Sequence, residues 1–416
     1  MNILLISYYF APYQSVGAIR PSKLAKYLYQ RGHQVHVIAG ANQPYPESLP
    51  LELPNHYIHY CNHYSPNSAV DILMGGRKHT SHYGYTTKSK LLQILGKYYK
   101  TLLHVPDAQW TWILPAFNKA KELMKVTHFD LIYVSAPCFS GLIVAHKLHQ
   151  LNHTPWIAEF RDLWSSNHAY SYPKWRLWLE SKWEQSIINT ATALVTVSEP
   201  LAQQLLKHNK PAWVIYNGFD PTDIVKPIRL NEEVLLNIVF TGSIYENHYD
   251  LETFIKGVKL FHQLHGKIII HVAGRNTGIL LNLAEHYQLS ELFIDYSTVE
   301  RSQALGMQQA SDILLTFLWN NDNSGIYTTK LFEYAATKKP ILAIGSKNND
   351  VGQFIEKNKL GKICDNTDEL VKQLVFWLKY KKKYKETKKI NTNIDFLSRE
   401  IQFQKLEAHI IDLLAI

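Results

Sequence analysis

Short apolar runs separated by stretches of helical periodicity recur along most of this chain, and that alternation most limits what it can fold into. Asn2 to Ser7 reads as a continuous apolar strand, Tyr8 to Gly17 as a loop, Ala18 to Arg31 as a helix and Gln34 to Gly40 as a second strand. Strands apolar at successive positions are covered on both faces, and strands joined through helices run parallel, so the pattern predicts a βαβ unit. Pro21 is tolerated in the first turn of the helix, Leu24, Ala25 and Leu28 supply its buried stripe, and Gly32 sits where a left-handed cap ends it.

The alternation resumes with strands Leu131 to Ser135, Trp156 to Phe160 and Leu194 to Val197, and helices near Phe139 to Leu151 and Lys174 to Asn189. A last strand near Trp213 to Tyr216 runs into the turn formers Asn217-Gly218-Phe219-Asp220-Pro221 and a polar segment to Glu233, where the linker is placed. Strands Ile238 to Phe240, Ile268 to Ala273, Phe293 to Asp295, Ile313 to Phe317 and Ile341 to Ile344 then predict a second doubly wound domain. Phe396 to Leu414 has apolar residues at helical spacing and reads as a closing helix. A length of 416 residues exceeds what one hydrophobic core usually serves, and 46% apolar with 19% charged residues describes a chain that folds.

Residues 42 to 112 resist assignment, and an insertion of that size in an α/β domain is more often functional than accidental. Within it, Lys88 to His104 mixes lysines with Leu, Ile and Tyr, either as a basic amphipathic helix on an anionic membrane or as an ordinary surface helix. Cys61, Cys138 and Cys364 are far apart and in no Cys-x-x-Cys pattern, which points away from a disulfide framework and towards a reducing compartment. The apolar start has no basic leader and no run spans a bilayer, so any membrane contact is expected to be peripheral. With 44 Lys and Arg against 35 Asp and Glu, the net charge of +9 favours anionic partners or simply a solvated basic surface. No basic motif with interleaved stacking aromatics singles out nucleic acid, which is not expected as a partner.

The most informative segment runs from Ser324 to Pro340 and into the strand Ile341 to Ile344. At about 100° per residue on a helix starting near Thr329, Lys330, Glu333, Tyr334 and Thr337 share one face, opposite Leu331, Phe332, Ala335 and Ala336. The helix start offers unpaired N–H groups and a positive dipole end, and Lys330 adds a cation, so a phosphate is welcome there. Glu333, one turn in, can accept both hydroxyls of a ribose. The bland alternative is an exposed Lys-Glu pair.

Lys330-Leu331-Phe332-Glu333-Tyr334-Ala335-Ala336 with Lys339-Pro340-Ile341-Leu342 resembles the signature helix of retaining family 4 glycosyltransferases. The resemblance extends along the chain through Gly17, Arg31 to Val35, Val197-Ser198, Tyr216 to Asp220, Phe240 to Ser243, His271 to Gly274 and Phe396 to Ser398. It implies a GT-B fold of two doubly wound Rossmann-like domains facing across a cleft. An acceptor domain would occupy 1–222, a nucleotide-sugar domain 223–392, and a closing helix, 393–416, would cross back to the N-terminal domain.

The sequence also departs from the family pattern. The second Glu of the Glu-x7-Glu motif is kept as Glu333, but Gly325 stands at the first position, as in a subgroup resembling surface-polysaccharide enzymes. Ser243 and Tyr249 replace the basic pair that usually grips the diphosphate. Lys330, Arg275 and the backbone N–H groups of Gly325, Ile326 and Tyr327 are the expected substitutes, because a diphosphate leaving group needs compensating positive charge. Gly242 and Ser243 follow as donor contacts by resemblance. Gly17, in the first strand-helix loop, permits close approach of a donor anion, and Arg20 either holds an acceptor phosphate or is a surface arginine. Asp162, after a strand end, resembles the position of an acidic or histidine residue facing the transferred sugar, and Arg161 would join Arg20 in acceptor binding. A structural Asp162–Arg161 pair is the alternative.

These residues imply a cytoplasmic enzyme, peripheral on the inner membrane face, with Asp162, Lys330 and Glu333 catalytic. It would move a hexose-type sugar from a UDP- or GDP-sugar to a glycan or lipid-linked acceptor in surface polysaccharide assembly. No cofactor and no metal are expected, since there is no Asp-x-Asp motif and His33 with His36, or His146 with His149, lack ligand companions. A non-catalytic sugar-nucleotide-binding protein on the same fold is the alternative.

Overall fold

A computed structural model describes residues 1–64, 90–167, 172–223, 225–230, 235–320, 325–385, 389–390 and 392–415, without the side chains of 90–95 and 97. The chain divides into two units, Met1–Ile215 with Lys405–Ile416, and Tyr216–Gln404.

In the first unit β1 (Asn2–Ile6), α1 (Val16–Gln30), β2 (Gln34–Gly40) and β3 (Ile58–Cys61) are followed by α2 (Lys90–Leu103) and α3 (Ile113–Val126). Then come β4 (Leu131–Ala136), α4 (Ser140–Asn152), β5 (Trp156–Phe160), α5 (Lys174–Ile188), β6 (Ala193–Thr196), α6 (Glu199–Leu205) and β7 (Ala212–Val214). The strands form one parallel sheet in the order β3-β2-β1-β4-β5-β6-β7. The apolar runs end up in its middle: every residue of β4, β5 and β6 is buried. Helix α1 begins two residues before the expected Ala18 because Ser15 caps it, accepting from Ala18 N–H at 3.1 Å. Gly32 takes the left-handed conformation expected, with φ 87°.

The second unit runs β8 (Asn237–Thr241), α7 (Leu251–His265), β9 (Ile269–Ala273), α8 (Gly278–His286), β10 (Phe293–Asp295), α9 (Arg301–Ala310) and β11 (Ile313–Phe317). It continues through α10 (Thr329–Ala336), β12 (Ile341–Ile344), α11 (Asp350–Lys357), β13 (Gly361–Cys364), α12 (Thr367–Tyr384) and α13 (Arg399–Leu414), whose end belongs to the first unit. The parallel order is β10-β9-β8-β11-β12-β13, with one apolar cluster on each face of the sheet. Both units are doubly wound and Rossmann-like, which is the GT-B class expected.

The boundary between units falls at 215/216 rather than 222/223. Phe219 and Ser398 form a parallel bridge, and Arg399 N–H donates to Phe219 C=O at 2.7 Å, which joins Tyr216 to Asp220 to the second unit. At the other end Glu407 accepts from the Tyr27 hydroxyl and meets His33, both at 2.8 Å, so the last residues go with α1. The short strands β3 and β13 escaped the sequence reading, since four-residue runs such as Ile58–Cys61 carry too little periodicity.

Candidate functional site at the sheet edge of the second unit

Strand order locates this site before any side chain does. After β8 the chain moves outward to β9 and β10, then returns to the other side of β8 as β11, so the switch point lies at the carboxyl ends of β8 and β11. Ligands of doubly wound sheets bind there. Gly242 leaves β8 at φ 141° and Gly274 leaves β9 at φ 148°. A Cβ on Gly274 would lie 1.7 Å from the Gly242 carbonyl oxygen, so only glycine lets the two backbones pass this closely. Gly242 N–H donates to Ala273 C=O at 2.8 Å and Ile244 N–H to Arg275 C=O at 3.0 Å, which fixes both loops.

Helix α10 follows β11. Its Tyr334 is buried and its hydroxyl accepts from Thr241 N–H at 2.9 Å, while Gln308 donates to the Thr241 hydroxyl at 3.0 Å. One turn earlier, on the same face, Lys330 therefore lies over the loop that leaves β8. Its Nζ is 3.4 Å from where a Gly242 Cβ would stand, 4.6 Å from the Phe240 ring centroid and 5.9 Å from that of Tyr334. The side chain is only partly exposed and has no carboxylate at ion-pair distance among the described residues. Burial pushes its ammonium down to about 8, opposed by the Glu333 charge. Thr328 caps α10 without a side-chain hydrogen bond, so the helix's positive end is left for a ligand or water.

Glu333 faces another neighbour. Arg301, the first residue of α9, donates to Glu333 Oε1 at 2.7 Å and to Asp223 at 3.0 Å, while Glu333 Oε2 has no hydrogen bond among the described residues. The three residues line a groove of about 360 Å³, open mouth included, with Phe219, Thr337 and Arg399. Arg301 was invisible to the sequence reading, because nothing local marks a residue 32 positions upstream as the partner of Glu333.

Of the other expected donor contacts, Arg275 is exposed directly after Gly274, and Ser243 and Ile326 are partly exposed in their loops. Gly325 has φ 90°. The expectation for the Tyr327 N–H needs correction: it donates to Gly325 C=O at 3.0 Å, and the Tyr327 ring is buried between Tyr216 and Phe354, so this amide is not available to a phosphate. Tyr249, at a position of the missing basic pair, packs with Tyr245, Phe317 and Trp319.

In the first unit two expectations are corrected. Arg20 is buried, ion-paired with buried Glu159 at 2.8 Å and donating to Ile215 C=O at 3.0 Å, so it cannot serve an acceptor phosphate. Glu159 also accepts from Tyr133 at 2.8 Å and Ser135 at 2.5 Å. Burial opposes its charge, yet Arg20, Arg161 and these donors hold its carboxyl below the usual range. Arg161 likewise spends its guanidinium on backbone, donating to Gly17 C=O at 2.7 Å, Pro137 C=O at 3.0 Å and Ala136 C=O at 3.2 Å. It ties the first turn of α1 to the end of β4. Gly17 is required by packing too, since a Cβ there would lie 2.9 Å from the Tyr9 ring. Asp162 is exposed after β5.

The histidine pairs have other occupations: His36 meets His59 at 3.2 Å, His146 meets Thr190 at 3.0 Å and His149 meets Thr154 C=O at 2.9 Å. Among the described residues no three metal-ligating side chains converge.

Residues 22–223 match the family model described as Glycosyltransferase Family 4. Solved structures of the same fold include a glycosyltransferase from Rickettsia africae, at 16% identity and TM-score 0.61, covering 99% of this chain and 98% of that one. They also include sucrose-phosphate synthase from Thermosynechococcus elongatus, at 13% identity and TM-score 0.64, covering 100% and 99%. A third is Anabaena HepE in complex with UDP, at 14% identity and TM-score 0.63, covering 99% and 100%. No curated protein matches the sequence. Residues 22–223 are thus similar to Glycosyltransferase Family 4, and the two Rossmann-like sheets give the chain the GT-B fold.

Proposed function

We propose that this chain is a family 4 glycosyltransferase that takes a hexose-type sugar from a UDP- or GDP-sugar and passes it, with retention, to a glycan or lipid-linked acceptor in surface polysaccharide assembly. One observation carries the reading: Lys330 is a partly buried cation held over Gly242 at the switch point by the Tyr334–Thr241 hydrogen bond. Anabaena HepE, of the same fold, is crystallised with UDP and with UDP-glucose, which supports a uridine donor first.

In this reading the donor diphosphate sits between the Gly242–Ser243 loop and the start of α10, with Lys330 and the helix dipole on its oxygens and exposed Arg275 within the same edge. Glu333 accepts the ribose hydroxyls through Oε2, held in place by Arg301. The bond from the sugar's anomeric carbon to the phosphate oxygen breaks as the acceptor oxygen bonds on the same face, and the acceptor's proton leaves to the departing phosphate. Lys330 stabilises the charge that develops on that oxygen, without a metal or cofactor. Asp162 orients the acceptor. The acceptor side lies in the first unit, and the enzyme works in the cytoplasm against the inner membrane face.

Release of nucleotide from a panel of sugar nucleotides tests this. Lys330→Ala and Glu333→Ala are expected to lose activity while staying folded, and full turnover in both would remove the site assignment. A non-catalytic binder is favoured instead if nucleotide binds but no sugar nucleotide is turned over, a reading motivated by Gly325, Ser243 and Tyr249 standing where the family usually contacts donor.

A further inference from the structure

Helix α5 has its polarity reversed. Its two acids, Glu180 and Glu184, are both 1% exposed. Glu180 pairs with Arg176 at 2.9 Å, and Glu184 accepts from Ser165 N–H at 3.0 Å and meets His208 at 3.3 Å. Facing outward instead are Trp175, Trp178, Leu179 and Trp183, at 53, 60, 51 and 37% exposure. These positions are i, i+3, i+4 and i+8 and make one stripe, where a solvated helix would carry its charges. Lys174 and Lys182 are exposed beside it, neither has an ion-pair partner among the described residues, and no acid of α5 reaches the surface.

The end of a second element is held against this helix. Arg176 donates to the carbonyls of Lys100 and Thr101, both at 2.7 Å, and to that of His104, so it caps the end of α2 against the first turn of α5. On that end of α2, Tyr98 and Leu102 are exposed at 64 and 63%.

We propose that α5, with the last turn of α2, docks the first unit on an anionic lipid bilayer. The tryptophans sit at the boundary of headgroups and acyl chains, and Lys174 and Lys182 lie on lipid phosphates. Tryptophan prefers that boundary, lysine reaches from it to the phosphates, and the burial of both acids removes the charges anionic lipid would repel. A second copy of the chain is disfavoured as occupant, since a two-fold contact would set these lysines against each other with no acid to pair them. The inference rests on the membrane part of the proposed function but places most of the contact on α5, with only the end of the Lys88 to His104 segment beside it. No helix among the described residues is long and apolar enough to cross a membrane, so the contact is a surface one.

Flotation of the full chain with phosphatidylcholine vesicles, with and without phosphatidylglycerol, tests it. The chain should float with the anionic vesicles and much less with the neutral ones. Trp175→Ser with Trp178→Ser should weaken that binding roughly tenfold or more, because both side chains are exposed and the fold does not need them. Lys174→Glu with Lys182→Glu should abolish the preference for anionic lipid. Trp183 is left alone because it packs on Trp164, 5.6 Å between rings. Undiminished flotation of the tryptophan variant overturns the proposal, as does absence of binding to either vesicle. So does light scattering that shows a dimer which the tryptophan variant dissolves. Nucleotide release with a water-soluble acceptor should be unchanged in both variants, which separates failure here from failure of the donor site.

Discussion

Tyr334 and Thr241 are locked together across the edge of the second sheet: the Thr241 N–H donates to the buried Tyr334 hydroxyl at 2.9 Å. That bond decides where Lys330 points, because the two α10 residues stand one turn apart on the same face. A helix free to roll by one residue would carry the lysine away from Gly242.

Removing the hydroxyl should therefore affect both stability and binding. Tyr334→Phe leaves the buried Thr241 N–H without its acceptor, which costs about 1–3 kcal/mol. The expected result is a lower Tm together with a raised KM for donor. An unchanged KM would show that Lys330 is placed by other contacts.

Lys330 should give the reaction an alkaline limit. Its ammonium, pushed down to about 8 by burial, is charged below that pH and neutral above it. Donor kcat/KM should fall as pH rises through about 8, and kcat less so, because a bound diphosphate favours the charged form. Stability should move the other way. Between about 8 and the ordinary lysine value of 10.5 the unfolded chain holds the proton more tightly, so this residue makes the fold gain stability as pH rises. Replacement by methionine should abolish the limit and lower kcat/KM by about 100-fold.

Glu333 and Arg301 should separate in a kinetic comparison. Glu333→Ala removes the proposed ribose contact and should raise donor KM by about tenfold or more. Arg301→Ala leaves the carboxylate but frees it to turn, and a rise of only a few fold, with kcat held, is expected. A lower KM in Arg301→Ala would mean that the arginine competes with ribose for the carboxylate.

Arg20 should behave as a structural residue. Its loss strands the Glu159 carboxylate in the sheet, both side chains being at most 4% exposed, and breaking such a pair costs about 3–5 kcal/mol. A large drop in Tm is expected for Arg20→Ala, and nucleotide binding to the folded fraction, measured by calorimetry, should be unchanged. A stable variant with weakened acceptor use would restore Arg20 to the acceptor site.

The sequence by itself determined the elements and their class. Strands such as Gln34–Gly40, Trp156–Phe160 and Ile341–Ile344 were legible to the residue, because buried parallel strands are continuous apolar runs and need no distant information. The helix carrying Lys330 and Glu333 was legible for the same reason, since its sidedness is written in its own spacing. Which charged groups are occupied was decided only by the tertiary structure. Arg20 and Glu159 are 139 positions apart, Arg301 and Glu333 32, and Arg161 reaches Gly17 across 144. The buried acids of α5 and its exposed tryptophans likewise reverse what amphipathic spacing would suggest. An ion pair forms where the fold brings charges out of water together, and no local pattern encodes that meeting.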